Sequence, residues 1–217
     1  MKKIIKSGEF VMTKDYKIET QAIHAAQTID ETGSRAVPLH QTTAYVFEDV
    51  AQGANRFALT ESGNIYTRME NPTTEVLEKR IATLEAGVGA LATASGQAAE
   101  TISVLNITKS GDEILCSSSL YGGTFTLFKN TLGRLGIKTI FFDVTDLDML
   151  HKKISKKTKL IYVETIGNPE LSVPDFEKIA KIAHENGIPL IVDNTFATPF
   201  LCKPFEFGAD IIIHSLT

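Results

Sequence analysis

Polar side chains that could bind an anion or a charged ring follow three apolar segments of this 217-residue chain. Residues 95–97, Ser-Gly-Gln, follow the run Ala90–Ala94 and begin a helical stretch, where backbone N–H groups could bind an anion. Asp193 directly follows an apolar pair, and the segment 214–217, His-Ser-Leu-Thr, follows Ile211–Ile213. A buried carboxylate needs a cation, a metal or a protonated ring nitrogen, because a lone buried charge is costly. These positions are the candidate chemical groups.

Each of these features alone also has an ordinary structural explanation. Gly96 fits a tight turn, Asp193 fits a cap or turn residue, and the last segment is a polar strand end. The segment around Gly96 lacks the Lys-Ser/Thr of a P-loop and the spaced glycines of a dinucleotide fingerprint, so nucleotide binding is disfavoured. Tyr66, Arg68 and Tyr121 could stack on a planar ring or hold a phosphate, although surface packing explains each singly.

The elements that would position these groups alternate from residue 72 onward. Asn71 and Pro72 predict a helix start, and Gly87 predicts its end. Further helices are predicted at 96–108, 122–135, 146–154 and 175–185, and apolar strands at 90–94, 113–116, 137–142, 160–163, 189–192 and 211–213. Apolar strands joined by helices predict an α/β fold with a mainly parallel sheet covered on both faces. Ligands bind at the carboxyl ends of such strands, where the candidate groups stand.

Residues 1–71 differ, because they lack a sustained helical period. We predict an extended N-terminal arm with short helices over 1–71 and a large domain over 72–217. A second methionine, Met12, makes residues 1–11 a candidate extension.

Composition excludes several classes of protein. The chain is 43% hydrophobic and 22% charged, which is typical of globular proteins. No apolar run is long enough to span a bilayer. The net charge of −4 argues against binding duplex nucleic acid. Cys116 and Cys202 have no CxxC partner, so neither a disulfide framework nor a metal site is predicted, and a cytoplasmic location fits.

Taken in order, six segments closely resemble the pyridoxal-phosphate (PLP) enzymes of cysteine and methionine metabolism. They are Tyr66-Thr-Arg-Met-Glu-Asn-Pro-Thr73, Ser95-Gly-Gln-Ala-Ala99, Tyr121-Gly-Gly-Thr124, Glu164-Thr-Ile-Gly-Asn-Pro169, Val192-Asp-Asn-Thr-Phe196 and His214-Ser-Leu-Thr217. The resemblance runs from about residue 18 to the end of the chain. It implies the fold-type I architecture of PLP-dependent transferases, with a mainly parallel sheet of seven strands and pyridoxal 5'-phosphate as cofactor.

The resemblance also implies a role for each candidate residue. Tyr121 would stack on the pyridine ring, Asp193 would pair with the ring nitrogen, and both count as catalytic. Asn168 would lie near the 3-oxygen of the ring. Four further residues would bind the cofactor phosphate: Gly96, Gln97, Ser215 and Thr217. Tyr66 and Arg68 would reach the phosphate of a neighbouring subunit, which implies shared active sites in a homotetramer built from dimers.

Within the family, the sequences of these segments are most similar to those of the O-acetylhomoserine sulfhydrylases. The methionine-cleaving relatives of those enzymes have Cys at the position of Gly123. This implies a γ-replacement reaction that converts O-acetylhomoserine and sulfide, or sulfur from a carrier protein, to homocysteine and acetate in methionine biosynthesis. A cystathionine γ-synthase or lyase and a methionine γ-lyase stay open as alternatives. So does a non-catalytic fragment or interaction protein.

One departure concerns the lysine of the family that carries the cofactor. It follows the Ser-x-Thr segment directly, and here that segment ends at Thr217. We therefore expect the 217 residues to be the first part of a longer polypeptide, or the sequence to be interrupted at a modified lysine. The chain as written would bind the cofactor weakly at most.

Overall fold

The computed structural model describes residues 16–217, so the candidate extension over 1–11 lies outside the described residues. The chain divides into two compact units, one ending at Ala92 and the other beginning at Thr93. The boundary that we predicted at residue 71 stays a prediction. No helix in the described part of the chain is long and apolar enough to cross a membrane.

The described part of the first unit contains three helices and no sheet. They are α1 (Ile18–His24), α2 (Val50–Phe57) and α3 (Pro72–Glu85). Asn71 caps α3 as predicted, because its side chain accepts a hydrogen bond of 2.9 Å from the Thr73 N–H. An isolated antiparallel bridge joins Ala44 to Tyr66. The segments between these helices are otherwise irregular, and the predicted arm over 1–71 stays a prediction.

The second unit alternates helices and strands. Its elements are α4 (Gly96–Ile107), β1 (Glu113–Ser117), α5 (Gly122–Thr126), a π-helical turn (Leu127–Thr131), α6 (Leu132–Arg134), β2 (Lys138–Phe142), α7 (Leu147–Lys153), β3 (Thr158–Glu164), α8 (Phe176–Glu185), β4 (Leu190–Asp193), α9 (Thr198–Leu201), a 3-10 turn (Pro204–Phe207) and β5 (Ile211–Ile213). Each predicted strand from residue 113 onward is present within one or two residues of its predicted bounds.

The five strands form one parallel sheet in the order β2-β1-β3-β4-β5. Successive side chains of each strand enter different cores, because strand side chains alternate between the two faces. Leu115, Ile161 and Val192 belong to the core beneath α7 and α8. Cys116 and Tyr162 belong to the core on the other face, beneath α4 and the π-helical turn. The sheet is therefore covered on both faces, as predicted.

The predicted strand at 90–94 is wrong. These residues pair with no strand among residues 16–217, and the Ala92 N–H instead donates a hydrogen bond of 2.8 Å to Glu78 Oε1. The surrounding Gly87–Leu91 segment is rich in glycine and alanine, which disfavour strands. The described sheet consequently has five strands, fewer than the seven that the resemblance implies.

Candidate active site

The predicted site residues of the second unit lie at the carboxyl edge of the sheet. Strand register pairs Glu164 with Asp193, and Asp193 with Ile213. The strand order reverses direction between β1 and β3, because β2 lies on one side of β1 and β3 on the other. Such a switch point opens the crevice in which α/β proteins bind ligands.

Gly96 and the segment after β5 form a small polar cradle. Ser95 caps α4 by accepting a hydrogen bond of 3.1 Å from the Ala98 N–H. A Cβ atom added at Gly96 would lie 2.7 Å from Ser215 Cβ, so only glycine allows this approach. The Ser215 and Thr217 hydroxyl oxygens lie 2.5 Å apart. First-turn N–H groups of a 12-residue helix and two hydroxyls form a suitable site for a phosphate.

Gln97 lies in the same first turn, and its side chain contacts Glu100 and Thr124. Its Nε2 atom donates to Glu100 Oε2 at 2.9 Å and lies 3.3 Å from Thr124 Oγ1. The side chain therefore points toward α5, and the backbone N–H remains the group that could meet a phosphate, as the sequence predicts.

Tyr121 stands at the start of α5 with 55% of its surface exposed. Its backbone N–H donates a hydrogen bond of 2.7 Å to Glu164 Oε1 across the switch point. A Cβ atom added at Gly123 would lie 2.6 Å from Cε1 of the Tyr121 ring. The ring is thus exposed for stacking, and its position depends on Glu164 and Gly123.

Asp193 is half-buried at the end of β4. Its Oδ1 atom accepts a hydrogen bond of 2.8 Å from the Thr195 N–H, and its Oδ2 atom lies 3.4 Å from the Tyr162 hydroxyl. The Thr195 hydroxyl in turn accepts a hydrogen bond of 2.8 Å from the Ser215 N–H. These contacts connect the carboxylate to the phosphate cradle through neighbouring loops.

Asn168 lies in the loop after β3, next to the loop after β1. A Cβ atom added at Gly167 would lie 2.2 Å from Ser119 Oγ, so the two loops touch. Burial raises the pKa of Glu164, and a backbone hydrogen bond from Asn168 opposes part of that rise. Asn168 therefore shares its anchor, Glu164, with Tyr121.

Three buried residues of the site escaped the sequence analysis: Glu100, Tyr162 and Glu164. Burial, together with the Asp193 and Glu164 charges, raises the pKa of Glu100 to about 7. Burial likewise raises the pKa of Glu164 to about 7, with an added contribution from Asp193. None of the ion pairs within residues 16–217 includes these carboxylates. An acidic residue within an apolar helix or directly after an apolar strand is the signal that could have found the two glutamates.

Tyr66 and Arg68 belong to the first unit and are both exposed. The Arg68 guanidinium carbon lies 5.8 Å from the centre of the Tyr66 ring. The structure brings together the seven predicted site residues of the second unit, and within the first unit Tyr66 and Arg68 contact each other.

The family model of the Cys/Met metabolism PLP-dependent enzymes matches residues 19–217. The chain belongs to this family. An O-acetyl-L-homoserine sulfhydrylase of Leptospira meyeri is 53% identical over 97% of the chain and 48% of that protein. An L-methionine gamma-lyase of Fusobacterium nucleatum is 46% identical over 94% of the chain and 52% of that protein. The chain spans about half the length of these relatives.

The solved structures that resemble the chain include an O-acetylhomoserine (thiol)-lyase of Campylobacter jejuni. It matches with a TM-score of 0.90 and 46% identity over 93% of this chain and 50% of that one, and it contains N'-pyridoxyl-lysine-5'-monophosphate. The likeness confirms the predicted α/β class and the fold-type I architecture. Membership of the family confirms pyridoxal phosphate as its cofactor.

Proposed function

We propose that the full-length protein that contains these residues catalyses γ-replacement, converting O-acetylhomoserine and sulfide to homocysteine and acetate. The observation that carries the proposal is the position of Asp193 beside the polar cradle of Gly96, Ser215 and Thr217, in a chain 53% identical to an O-acetyl-L-homoserine sulfhydrylase. On this proposal the protein is a PLP-dependent transferase of methionine biosynthesis.

The residues present fit the cofactor. The missing side chain of Gly96 lets Ser215 approach the first turn of α4, and the Ser215 and Thr217 hydroxyls suit phosphate oxygens. Asp193 has no cationic partner among the ion pairs of the described residues, which suits a protonated ring nitrogen. Tyr121 has an exposed ring that would stack on the cofactor, and Asn168 would supply an amide to its 3-oxygen.

Bound pyridoxal phosphate would supply an electron sink for the carbanion that forms at the substrate Cα atom. Asp193 would hold a proton on the ring nitrogen, because a carboxylate at that position stabilises the charged ring. Glu164 would keep the Tyr121 backbone in place through the 2.7 Å hydrogen bond. The first turn of α4 would orient the phosphate.

We also propose that Tyr66 and Arg68 bind the phosphate of a neighbouring subunit in a cytoplasmic homotetramer. Their exposure and their place on a unit that is largely extended chain support this role. A guanidinium can bind phosphate with two hydrogen bonds, and a tyrosine hydroxyl can add a third. Sedimentation of the purified protein would measure the assembly.

Asp193→Asn tests the proposed function. We expect a loss of turnover of at least about 10²- to 10³-fold, because a preorganised charge facing the ring nitrogen is removed. The assay measures homocysteine formed from O-acetylhomoserine and sulfide by the full-length enzyme. Asp148→Asn is the matched control, because Asp148 is exposed on α7, the helix that follows the edge strand β2. Normal turnover by Asp193→Asn would contradict the assignment.

The lyase reaction is the second candidate, because a methionine gamma-lyase is 46% identical. The same preparation is incubated with methionine alone, with cystathionine, and with O-acetylhomoserine plus either sulfide or cysteine. Release of methanethiol from methionine without formation of homocysteine from O-acetylhomoserine would favour the lyase. Absence of every reaction and of PLP binding would favour a non-catalytic protein.

A further inference from the structure

Arg56 lies in the last turn of α2, and only 18% of its side chain is exposed. Its Nη1 atom donates a hydrogen bond of 3.3 Å to the Asn64 carbonyl oxygen, and its Nε atom forms an ion pair of 3.5 Å with Glu61 Oε1. Its Cζ atom lies 5.9 Å from the centre of the Phe47 ring, within the range of a cation–π contact. The Arg56 guanidinium therefore contacts the chain both before and after α2.

Gly63 allows the guanidinium to approach the chain that follows α2. The φ angle of Gly63 is +146°, a conformation that favours glycine. A Cβ atom added at Gly63 would lie 2.7 Å from Arg56 Cζ and 2.8 Å from Arg56 Nε, so one of the two groups would have to move. The guanidinium thus occupies the space in which a side chain at position 63 would stand.

The two segments that Arg56 contacts are paired with each other. Residues 43–45 and 65–67 are joined by an antiparallel bridge and by two backbone hydrogen bonds, from the Tyr45 N–H to the Ile65 carbonyl oxygen at 3.2 Å and from the Thr67 N–H to the Thr43 carbonyl oxygen at 2.9 Å. In this antiparallel register Phe47 and Asn64 lie at the same end of the pair. Arg56 therefore connects the two segments to α2 at that end.

Tyr66 and Arg68 extend from this paired segment. The Tyr66 carbonyl oxygen accepts from the N–H groups of Met69 and Glu70 at 2.9 and 3.0 Å, so a tight turn surrounds Arg68. Both the Tyr66 and the Arg68 side chains are exposed. Ordering a mobile segment when a ligand binds costs affinity, so a segment that is fixed in advance binds more tightly.

Resting on the proposed phosphate role of Tyr66 and Arg68, we infer that Arg56 is a positioning residue for that pair. It holds residues 65–67 against α2, so the pair meets a phosphate without first being ordered. Arg56 itself would not contact the phosphate, because its guanidinium is engaged by the contacts described above.

Hydrogen exchange of the cofactor-free full-length protein tests whether Arg56 holds the paired segments. In Arg56→Ala the Tyr45 and Thr67 amides should exchange about tenfold faster. Gly63→Ala should have the same effect, because its added Cβ atom displaces the guanidinium although the arginine is kept. Gly33→Ala is the matched control, since Gly33 also has a positive φ but an added Cβ atom there has no neighbour within 4 Å. Unchanged exchange in Arg56→Ala would overturn the inference.

Equilibrium dialysis with pyridoxal phosphate and with pyridoxal, which lacks the phosphate, tests the link to ligand binding. The Tyr66→Phe, Arg68→Ala double variant should bind pyridoxal phosphate at least about tenfold more weakly, because charged hydrogen bonds to the phosphate are lost. Arg56→Ala should bind it about fivefold more weakly. Both should bind pyridoxal within about twofold of the wild type. Arg35→Ala, which removes an exposed cation, is the control and should bind both ligands as the wild type does.

A triple variant tests whether Arg56 acts through the pair. Adding Arg56→Ala to the Tyr66→Phe, Arg68→Ala variant should weaken binding by less than about twofold, because residues that act as a unit are not additive. A full further loss, or equal weakening of pyridoxal and pyridoxal phosphate by Arg56→Ala, would overturn the inference. Circular dichroism checks the folding of each variant, and sedimentation separates a loss of affinity from a loss of assembly.

These outcomes separate the inference from the proposed function. Wild-type affinity for pyridoxal phosphate in the Tyr66→Phe, Arg68→Ala variant would contradict the proposed phosphate role of the pair. A weakened double variant beside an Arg56→Ala variant of wild-type affinity would contradict the inference alone.

Discussion

At the scale of single residues, Gly123 determines where the Tyr121 ring can lie. Gly123→Ala would place a Cβ atom 2.6 Å from Cε1 of that ring, so the ring must move. We expect pyridoxal phosphate to bind about fivefold more weakly, which is the size of a lost aromatic stacking contact. Equilibrium dialysis of the full-length protein measures the change.

The adjacent glycine supplies the control for this substitution. A Cβ atom added at Gly122 would have no neighbour within 4 Å, so Gly122→Ala should bind the cofactor as the wild type does. Both substitutions add one methyl group in the first turn of α5. If Gly123→Ala bound as tightly as Gly122→Ala, the stacking role of Tyr121 would be in doubt.

Side chains that directly follow apolar strands were the predictable part of the site. Asp193 and Ser215 stand where parallel strands end, and the sequence predicted both positions. Glu100 and Tyr162 were missed because their importance depends on contacts between α4, α5 and two strands. Sequence spacing gives no sign that these elements meet. The family resemblance assigned roles to the residues that would contact the cofactor. The buried contacts of Glu100 and Tyr162 behind those residues could be found only from the structure.

At the scale of elements, the start of α3 depends on Asn71. The Asn71 side chain caps the helix and also donates to the His40 carbonyl oxygen at 2.9 Å. Asn71→Ala should lower the local free energy of opening by about 2 kcal/mol, because a cap and a partly buried hydrogen bond are both lost. Hydrogen exchange of the amides in the first turn of α3 measures this change.

A second helix cap provides the comparison. Asp49 caps the exposed start of α2 through a 2.7 Å hydrogen bond from the Gln52 N–H, and its side chain makes no second hydrogen bond within residues 16–217. Asp49→Ala should therefore lower the opening energy of α2 by only about 1 kcal/mol. Equal effects of the two substitutions would show that the Asn71 contact with His40 adds nothing.

Strands made of large or β-branched apolar residues were predicted well, whereas the alanine-rich run 90–94 was not. The β-branched runs at 160–163 and 211–213 became strands, because their side chains suit a sheet covered on both faces. The run Ala90–Ala94 is equally apolar by composition but consists mostly of alanine, and it formed no strand. Periodicity also missed the π-helical turn Leu127–Thr131, since one inserted residue leaves the apolar pattern nearly unchanged.

At the scale of the whole molecule, the two buried glutamates make stability depend on pH. The pKa values of Glu100 and Glu164 are about 7, above the unfolded value of 4.5, so the folded protein binds more protons between these limits. The free energy of unfolding should therefore fall as pH rises from 4.5 to 7, by on the order of 1–3 kcal/mol for each carboxyl.

Thermal unfolding of the cofactor-free protein across this pH range tests the prediction. The Tm of the wild type should fall toward pH 7, and that of the Glu100→Gln, Glu164→Gln double variant should change less. The Glu177→Gln, Glu185→Gln pair on α8 is the control, because both residues are exposed. Asp143 and Asp175 act in the opposite direction and at lower pH, since hydrogen bonds lower their pKa values. A double variant with the wild-type slope would disprove the assignment.

The contact between Gly96 and Ser215 has a consequence for the order of folding. It joins the first helix of the second unit to the segment after β5, so the phosphate cradle is among the most non-local contacts of that unit. Contacts between distant parts of a chain form slowly, because the intervening loop must first close. The cradle should therefore form late in folding. A ligand that binds only the native state can then stabilise the finished sheet by mass action but cannot serve as a template for it.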